Sequence, residues 1–269
     1  MTTRQFIEIV WSHYRTHGRH DLPWRHTTDP YHIMVSEIML QQTQVDRVIP
    51  RYQSFIRQFP TLETIARATL KDVLILWQGL GYNRRAAYLK RACEIIVQSY
   101  KGDARAAFGS QTPLPGIGPY TRGAIRAFAW DEPTVLIETN VRAVYLHHFF
   151  KGKKQVRDKD LLPYIAKTLD SGRAREWYWA LMDYGAHLKR TVPNPSRTSK
   201  HHTKQSRFAG SNRELRAQIL RALLVRPKTV EALSRALARD IRLIETNLLS
   251  MKREGLLEST NRTYRVREV

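Results

Sequence analysis

The chain has 269 residues, 42% of them hydrophobic, and its 45 Lys and Arg against 24 Asp and Glu give a formal net charge of +21. This composition is ordinary for a soluble globular protein with a proper core, while the charge favours a polyanionic partner, because each Lys or Arg near a phosphate releases a counterion. The single cysteine, Cys93, excludes a disulfide framework and a cysteine-based metal cluster, and no apolar run approaches the roughly 18 residues of a membrane span.

The basic charge is spread along the whole chain. Residues 1–188, 189–211 and 212–269 each carry more Lys and Arg than Asp and Glu, so the excess is not confined to a tail. A merely solubilising surface is the alternative interpretation. Residues 1–10 lack a basic segment followed by an apolar stretch, so we expect no signal peptide. These features predict a cytoplasmic protein that does not enter a membrane.

Residues 1–188 are predicted to form successive helices joined by short Pro or Gly breaks. Apolar residues recur at helical spacing in four segments, Ile33–Leu40, Leu70–Trp77, Ala86–Ile96 and Trp177–Leu188. The breaks fall at residues 29–30, 59–60, 79–81 and 113–118. Strand-like alternation is scarce, so we predict an all-α fold class.

The next segment, residues 189–211, is polar and basic and has few large apolar groups. This composition is typical of a linker, or of a loop that becomes ordered only on a polyanion. Its neighbouring histidines, His201 and His202, are interpreted as solvated side chains. The sequence therefore predicts no metal site here.

Residues 212–269 have a separate pattern. Helical periodicity covers Leu215–Val225, Val230–Arg239 and Leu243–Glu254, and alternating residues then flank a polar turn at 259–262. Three helices followed by a hairpin predict a winged helix, which is a helix-turn-helix variant. Winged helices bind DNA or other proteins, and both partners stay open. The residues that the third helix would offer to a DNA groove are Arg242, Asn247, Lys252 and Arg253.

A glycine-rich turn at residues 114–121 is the sharpest local signal. Gly116 and Gly118 allow the backbone to turn without Cβ clashes and to approach a ligand closely. The free N–H groups of such a turn, with the N-terminus of the following helix, suit a phosphate. Together with the apolar Leu114 and Ile117, the turn predicts a helix-hairpin-helix, which contacts the DNA backbone and not its sequence.

Seven stretches in this order carry a resemblance to a known family, and the most specific is Ser36–Val45. The chain resembles the helix-hairpin-helix DNA glycosylases, and within them it is most similar to the adenine DNA glycosylases. The matching stretches are Leu22–Arg25, Asp29–Tyr31, Val35–Val45, Gly79–Tyr82, Leu114–Thr121, Asn140–Arg142 and Leu181–Ala186.

The resemblance implies two helical lobes with double-stranded DNA at their junction. One lobe would be a six-helix barrel over about residues 25–135, and the other would combine residues 1–24 and 136–188. The implied partner is a duplex that contains a mismatch, a lesion or an abasic site, bound by a monomer. Such a protein is expected at the nucleoid.

Four residues match catalytic positions of the family. Glu37 matches the acid that protonates the departing adenine, a role that needs a carboxyl whose pKa burial has raised. Tyr120 stands where bifunctional relatives carry a lysine that forms a Schiff base. Since a phenol cannot form one, we predict base hydrolysis without efficient lyase activity. Asn140 and Glu138 lie in the stretch that carries the family's catalytic aspartate.

Other residues match the parts of the family that hold DNA. Two of them, Gln41 and Tyr82, match groups that wedge into the duplex where the base has left. Leu22, Trp24 and Arg25 correspond to the neighbourhood of the base pocket. A plain core role is the alternative for Trp24 and Tyr82. The full set of expected DNA-binding residues is Gln41, Gln42, Tyr82, Leu114, Gly116, Gly118, Thr121, Lys189 and Arg190.

The chain departs from the family pattern in three places. Glu138 replaces the catalytic aspartate and carries the same charge on a longer arm, where an offset of about 1 Å can cost on the order of 100-fold in rate. Lys189 stands at the first ligand position of the family's four-cysteine iron–sulfur cluster, and no cysteine follows, so we expect no cluster and no other cofactor. Residues 212–269 are too short for the family's reader of 8-oxoguanine.

Three functions are compatible with this sequence. The leading one is a monofunctional glycosylase with adenine as the default base. The second keeps the fold but takes thymine or uracil mispaired with guanine, or processes an abasic site. The third is a non-catalytic lesion-binding protein that recruits partners through residues 212–269. Retention of Glu37 favours the first, because a binder has no need of an acid aimed at a leaving base.

Overall fold

The structure is a computed structural model that describes residues 1–203 and 207–268. Residues 204–206 of the predicted linker and residue 269 of the predicted winged helix lie outside this range. The predicted all-α class is confirmed, since helices dominate the described residues and only three short strands accompany them. The helices are α1 (Thr3–His17), α2 (Pro30–Leu40), α3 (Val45–Gln58), α4 (Leu62–Arg67), α5 (Leu70–Leu76), α6 (Arg84–Tyr100), α7 (Ala104–Gly109), α8 (Pro119–Trp130), α9 (Thr139–Phe149), α10 (Asp158–Thr168), α11 (Ala174–Thr191), α12 (Asn212–Val225), α13 (Val230–Leu237) and α14 (Ile241–Arg253), and the strands are β1 (Lys228–Thr229), β2 (Leu257–Thr260) and β3 (Thr263–Val266).

The contacts between residues divide the chain into two units, and each unit combines two stretches of sequence. Unit 1 comprises residues 1–37 and 118–204, and unit 2 comprises residues 38–117 and 205–269. In sequence, the boundaries fall inside α2 and within the glycine-rich turn before α8. The lobe bounds expected from the resemblance stay a prediction.

Unit 1 is built around aromatic side chains from its first and last helices. The ring of Phe6 on α1 lies 5.1 Å from Tyr145 on α9 and 6.2 Å from Trp177 on α11, and Trp11 lies 5.5 Å from Trp177. All four side chains are buried. Because aromatic rings bury large areas and pack in tilted or edge-on pairs, this cluster fixes α9 and α11 against α1.

Helix α2 is buried on all sides over Ile33–Met39, as expected for a helix without an amphipathic pattern. Its start is set by Asp29, whose Oδ1 accepts hydrogen bonds from the backbone N–H groups of Tyr31 (2.7 Å) and His32 (3.2 Å). The only ionisable group in the buried stretch is Glu37. A carboxyl in this position is shielded from water, and this disfavours its ionised form.

The C-terminal part of unit 2 contains α12, α13, α14 and a small antiparallel sheet. In the sheet, β3 lies between β1 and β2, with Lys228 opposite Tyr264 and Leu257 opposite Val266. The hairpin of β2 and β3 was predicted, whereas β1 has only two residues and too little alternation to be recognised. The assignment of this part as a winged helix stays a prediction.

One expectation for α14 is wrong. Asn247 is only 2% exposed, and its Nδ2 donates to the Leu243 carbonyl at 2.9 Å, so it is not available to a DNA groove. Lys252 donates to the Ser259 Oγ at 2.8 Å. Asn247 shares the buried face of α14 with Ile244 and Met251, whereas Lys252 is exposed.

The basic segment after residue 188 begins inside a helix. Helix α11 continues to Thr191, and a 3-10 helix over Pro195–Thr198 then packs on α9. Val156 donates its N–H to the Thr198 carbonyl, and Lys200 donates to the Val156 carbonyl. Residues 189–203 of this segment therefore belong to unit 1, whereas residues 207–211 belong to unit 2. Among the described residues, no helix combines the length and apolar character needed to cross a membrane.

Candidate active site

Glu37 is the central group of the candidate active site in unit 1. It is 8% exposed. Burial raises its pKa from 4.5 to about 7, a nearby hydrogen bond from Tyr120 lowers it, and the charge of Glu138 raises it further. A carboxyl with a pKa near 7 still holds a proton in a large fraction of molecules at neutral pH. Glu37 therefore has the protonation behaviour of a general acid.

Tyr120 lies at the second residue of α8 and donates its hydroxyl to Glu37 Oε2 at 3.2 Å. Burial and the neighbouring carboxyls Glu37 and Glu138 raise the pKa of Tyr120 well above its ordinary value. The phenol therefore stays neutral and acts as a hydrogen-bond donor. This arrangement stabilises the ionised form of Glu37 without adding a charge to the site.

Glu138 occupies the N-cap position of α9. Its Oε1 accepts hydrogen bonds from the backbone N–H groups of Asn140 (2.6 Å) and Val141 (2.8 Å), and the Asn140 side-chain amide donates to Oε2 at 3.3 Å. Burial raises the pKa of Glu138, while these backbone N–H groups, Lys189 and Arg142 lower it. A helix N-terminus favours a negative charge, so Glu138 is the carboxyl of the pair that is better held in its ionised form.

The structure shows how the side chain of Glu138, which is one methylene longer than aspartate, fits at this position. The side chain of Glu138 folds back to cap its own helix, so the extra methylene is taken up along the helix end. This places both carboxyl oxygens near the N-terminus of α9 although the family pattern has aspartate at this position.

The extended chain before Glu138 is fixed by α8 and α11. The Tyr178 hydroxyl on α11 donates to the Thr134 carbonyl at 2.7 Å and accepts from the Leu136 N–H at 2.9 Å. On α8, a Cβ at Gly123 would lie 2.6 Å from the Leu136 side chain, so glycine permits this close approach. These contacts hold Glu138 in the same unit and beside the helix that carries Tyr120.

Lys189 lies next to Glu138 and not on an open surface. Four residues earlier on the same face of α11, Gly185 packs against the backbone of Asn140, where a Cβ would lie 2.2 Å from the carbonyl oxygen. Lys189 is half-buried; burial lowers its pKa, and the charge of Glu138 raises it. The expected contact of Lys189 with DNA stays a prediction, and in the structure Lys189 interacts electrostatically with Glu138. Arg190, the next residue, is exposed.

Arg25, one of the three residues expected near the base pocket, takes part in a buried ion pair. Its Nη1 and Nη2 donate to the two carboxyl oxygens of Asp183 at 2.8 and 2.9 Å, and Arg19 binds the same carboxyl through its backbone N–H and Nε. The side chains of Arg25 and Asp183 are 4% and 2% exposed. Such bidentate pairing orients the guanidinium rigidly. Of the other two, Leu22 and Trp24 are both buried, as a pocket wall or core residue would be.

The glycine-rich turn has the expected backbone form. Ile117 donates its N–H to the Leu114 carbonyl at 3.1 Å, and Gly116 has a φ of +74°, which favours glycine. Gly118 is exposed and is the N-cap of α8. Leu114 and Thr121 are buried, each 4% exposed, so Thr121 offers at most its backbone to a phosphate.

The residues expected to wedge into DNA belong to unit 2 and are held there by Arg85. The buried guanidinium of Arg85 donates to the carbonyls of Ile38, Met39 and Gln41 at the end of α2, and to Leu80 and Gly81 in the following loop. Burial lowers the pKa of Arg85 to about 10. Both terminal nitrogens of Arg85 are therefore engaged inside the protein.

Tyr82, one of the two residues expected to wedge into DNA, has a strained backbone, and so does Gln42, which follows the other. Gln42 and Tyr82 have φ values of +55° and +48°, a region that residues with a Cβ rarely adopt. Gln41 donates its side-chain amide to the Gly116 carbonyl at 3.4 Å. The bonds that Arg85 donates to the carbonyls of Gln41 and Gly81 fix the peptide group that precedes each of these two residues.

The residues present do not fit the family's iron–sulfur cluster. The chain holds one cysteine, Cys93, which is buried in α6 and cannot supply four thiolates. Among the described residues, no group of three or more His, Cys, Asp or Glu side chains is placed to hold a metal ion.

The sequence alone did not predict the buried interactions of Asp183 and Arg85, or the electrostatic interaction between Lys189 and Glu138. For Asp183, the available signal was an acid among apolar residues on the inner face of a predicted helix. For Arg85, it was a basic residue in a segment with helical apolar spacing. Both signals indicate a buried ionised group but do not name its partner.

Comparisons with known proteins agree with the family indicated by the sequence. The profile of HhH-GPD superfamily base excision DNA repair proteins matches residues 35–164. An adenine DNA glycosylase of Buchnera aphidicola subsp. Baizongia pistaciae is 34% identical over 69% of this chain and 53% of its own length. One of Mycolicibacterium smegmatis is 32% identical over 77% of this chain and 76% of its own length. This chain thus spans about half of the Buchnera relative.

Solved structures resemble the chain as well. The structure of a thermostable thymine-DNA glycosylase is similar with a TM-score of 0.61 and 25% sequence identity, and the match covers 74% of this chain and 90% of that one. A non-covalent endonuclease III–DNA complex matches with a TM-score of 0.58 at 13% identity, covering 74% of this chain and 96% of that one. The second similarity shows a shared fold alone.

Proposed function

Because the chain belongs to the HhH-GPD superfamily of base excision DNA repair proteins, we propose that it is a DNA glycosylase that hydrolyses the N-glycosidic bond of a flipped base, with adenine as the default base. The observation that carries this proposal is the buried Glu37, whose pKa is raised to about 7 beside a neutral Tyr120 and the helix-capped Glu138. A lesion-binding protein without catalysis has no use for such an acid.

The two carboxyls divide the chemistry between them. Glu37 donates its proton to the departing base, so that the base leaves as a neutral molecule while the bond to the sugar breaks. The sugar develops oxocarbenium character, and the ionised Glu138 stabilises this charge or activates the attacking water, as the second carboxylate does in glycosidases. Water supplies the hydroxyl that remains on the sugar, and the product is an abasic site.

Tyr120 supports hydrolysis without strand cleavage. A phenol with a strongly raised pKa cannot add to the sugar aldehyde to form a Schiff base. Its role is to position and partly stabilise the Glu37 carboxyl. Asn140 positions Glu138 through its amide, and Arg25 with Asp183 forms a rigid part of the wall expected around the base.

The remaining parts of the proposal concern the partner and the cofactor. We propose that the duplex carries a mismatch, lesion or abasic site, that one protein molecule binds one duplex, and that the protein works without an iron–sulfur cluster in the cytoplasm, at the nucleoid. The second candidate substrate is thymine or uracil opposite guanine. The similarity to a thermostable thymine-DNA glycosylase favours keeping this candidate.

Single-turnover assays test the proposal. The substrates are duplexes with adenine opposite 8-oxoguanine or guanine, thymine or uracil opposite guanine, and an abasic site, each treated with and without alkali. Glu37→Gln and Glu138→Gln should each lower the rate of base release at least about 100-fold, because each removes one half of the acid and electrostatic pair. Glu8→Gln, at an exposed carboxyl on α1, is the matched control.

The outcome distinguishes the candidates. Release of adenine that both variants suppress, with strand cleavage only after alkali, supports the adenine glycosylase. Release of thymine or uracil alone would mean that the substrate is one of these bases opposite guanine, with the proposed hydrolysis unchanged. Tight binding to the abasic duplex with no base released from any substrate would overturn the proposal in favour of a lesion-binding protein.

A further inference from the structure

A cavity of about 490 Å³ in unit 2 is lined by α3, by the loop Gly79–Asn83 and by α12. None of its lining residues belongs to the catalytic set described above, and none is acidic. Helix α12, in the C-terminal part of the chain, and the loop that carries Tyr82 thus line the same cavity.

Two helices present arginines to this cavity at helical spacing. On α3 they are Arg47 and Arg51, and on α12 they are Arg213 and Arg221, with Ala217 between the latter two. Residues spaced by four lie on one face of a helix, so each helix contributes a row of arginines. The lining thus holds four arginines and no acidic side chain, so its positive charge attracts an anion.

The loop allows the arginines to approach its backbone closely. Gly79 has a φ of +92°, and a Cβ there would lie 3.4 Å from the Arg51 guanidinium. Arg47 donates to the Gly79 carbonyl. Four side-chain amides also belong to the polar lining, and they are those of Gln42, Gln44, Gln78 and Asn83. Guanidinium and amide donors together suit phosphate oxygens and the polar edges of a base.

Two aromatic rings lie at the same cavity. Arg213 donates to the Tyr82 hydroxyl at 3.1 Å, and its guanidinium lies over the rings of Tyr82 and Phe208 at 5.5 and 6.0 Å. Phe208 is 47% exposed, so its ring is accessible from the cavity that it lines. Aromatic rings beside a basic groove are the combination that holds an unpaired nucleotide, because the base stacks while the phosphate pairs with arginine.

We propose that this cavity binds a nucleotide of a DNA strand, with the phosphate on the two arginine rows and the base against Phe208 and Tyr82. The C-terminal part of the chain thus contacts DNA through α12, and not through α14. Helix α14 is the weaker candidate because its Asn247 is buried and its Lys252 is engaged by Ser259. The inference rests on the proposed function only in taking DNA as the partner.

The test measures binding of the full chain to a duplex that contains a tetrahydrofuran abasic analogue, which no glycosylase can process. Fluorescence anisotropy gives Kd over a range of potassium chloride concentrations. Arg51→Gln and Arg221→Gln should each weaken binding about 3- to 10-fold near 0.1 M salt and lower the slope of log Kd against log salt by about one, and the double variant by about two.

A matched control and an alternative surface accompany these variants. Arg57→Gln lies on α3 outside the cavity and should change Kd less than about 2-fold, while Arg242→Gln tests α14. Thermal melts of every variant check that the fold is retained. Phe208→Ala should weaken binding about 5-fold or more with an unchanged salt slope, because a lost stacking contact releases no counterion.

Each result decides the proposal. Loss of affinity and of salt slope in the α3 and α12 variants, but not in Arg57→Gln, supports it. An effect of Arg242→Gln with none from Arg221→Gln would move the DNA contact to α14 and overturn it, as would unchanged binding in all cavity variants. The proposal would also be overturned if the wild-type chain bound single-stranded RNA more tightly than the duplex and the cavity variants weakened RNA binding by the same factor. Because the duplex is inert, these results are independent of whether any base is released.

Discussion

Replacing Glu37 with glutamine removes a buried carboxyl whose pKa is raised from 4.5 to about 7. The sign of the effect on stability follows from proton linkage. Between pH 4.5 and 7 the folded protein binds more protons at this group than the unfolded chain, so stability falls as the pH rises through this window. Each pH unit between the two pKa values corresponds to about 1.4 kcal/mol, and burial of the ionised carboxyl therefore costs about 3 kcal/mol above pH 7.

Glutamine has the same shape and no charge, and its carbonyl oxygen can still accept the hydrogen bond that Tyr120 donates. We therefore expect Glu37→Gln to be as stable as the wild type near pH 4.5 and more stable by about 3 kcal/mol at pH 8. Urea unfolding followed by circular dichroism at pH 5, 6, 7 and 8 measures this difference. An inactive variant that is more stable than the wild type is typical of a residue kept for catalysis.

The control for this series is Glu8→Gln, which changes an exposed carboxyl. Its free energy of unfolding should run parallel to that of the wild type from pH 5 to 8. A stability difference for Glu37→Gln that does not change with pH would refute the reasoning, because it would mean that the Glu37 carboxyl has an ordinary pKa in the folded protein.

Three further predictions concern Tyr120, which contacts Glu37, Lys189, which interacts with Glu138, and Asp183, which pairs with Arg25. Tyr120→Phe removes a hydrogen bond that lowers the Glu37 pKa, so the alkaline limb of the pH–rate profile, set by protonated Glu37, should move from about 7 to higher pH by up to about one unit. Lys189→Met removes a positive charge that lowers the pKa of Glu138, so the acidic limb should move to higher pH. Asp183→Asn leaves two arginines without their carboxylate and should reduce the free energy of unfolding by about 3–5 kcal/mol, measured by urea unfolding.

The Tyr120 and Lys189 variants each have a control of the same chemical type. Tyr164→Phe and Lys167→Met, both on α10, change exposed side chains and should leave both limbs in place. Movement of the alkaline limb to lower pH in Tyr120→Phe, or an unmoved acidic limb in Lys189→Met, would contradict the assigned electrostatics. For Asp183→Asn, a loss below about 1 kcal/mol would mean that the pair is solvated.

Local patterns in the sequence were enough to predict most of the helices. The four apolar segments coincide with α2, α5, α6 and α11, and the predicted glycine-rich turn has the backbone form that Gly116 requires. These features depend on residues close together in the chain, where periodicity and φ preferences act directly. The family was also predicted correctly, because its motifs are short and contiguous, whereas the catalytic roles of Glu37 and Glu138 stay predictions.

Tertiary packing decided which side chains meet. Arg25 and Asp183 are separated by 158 positions, and only the packing of unit 1 brings the guanidinium to the carboxyl. The same holds for Lys189, whose interaction with Glu138 also depends on this packing. A helix pattern determines which residues share a face, whereas the charge, pKa and accessibility of that face depend on the element that covers it, and this is settled only when distant segments fold together.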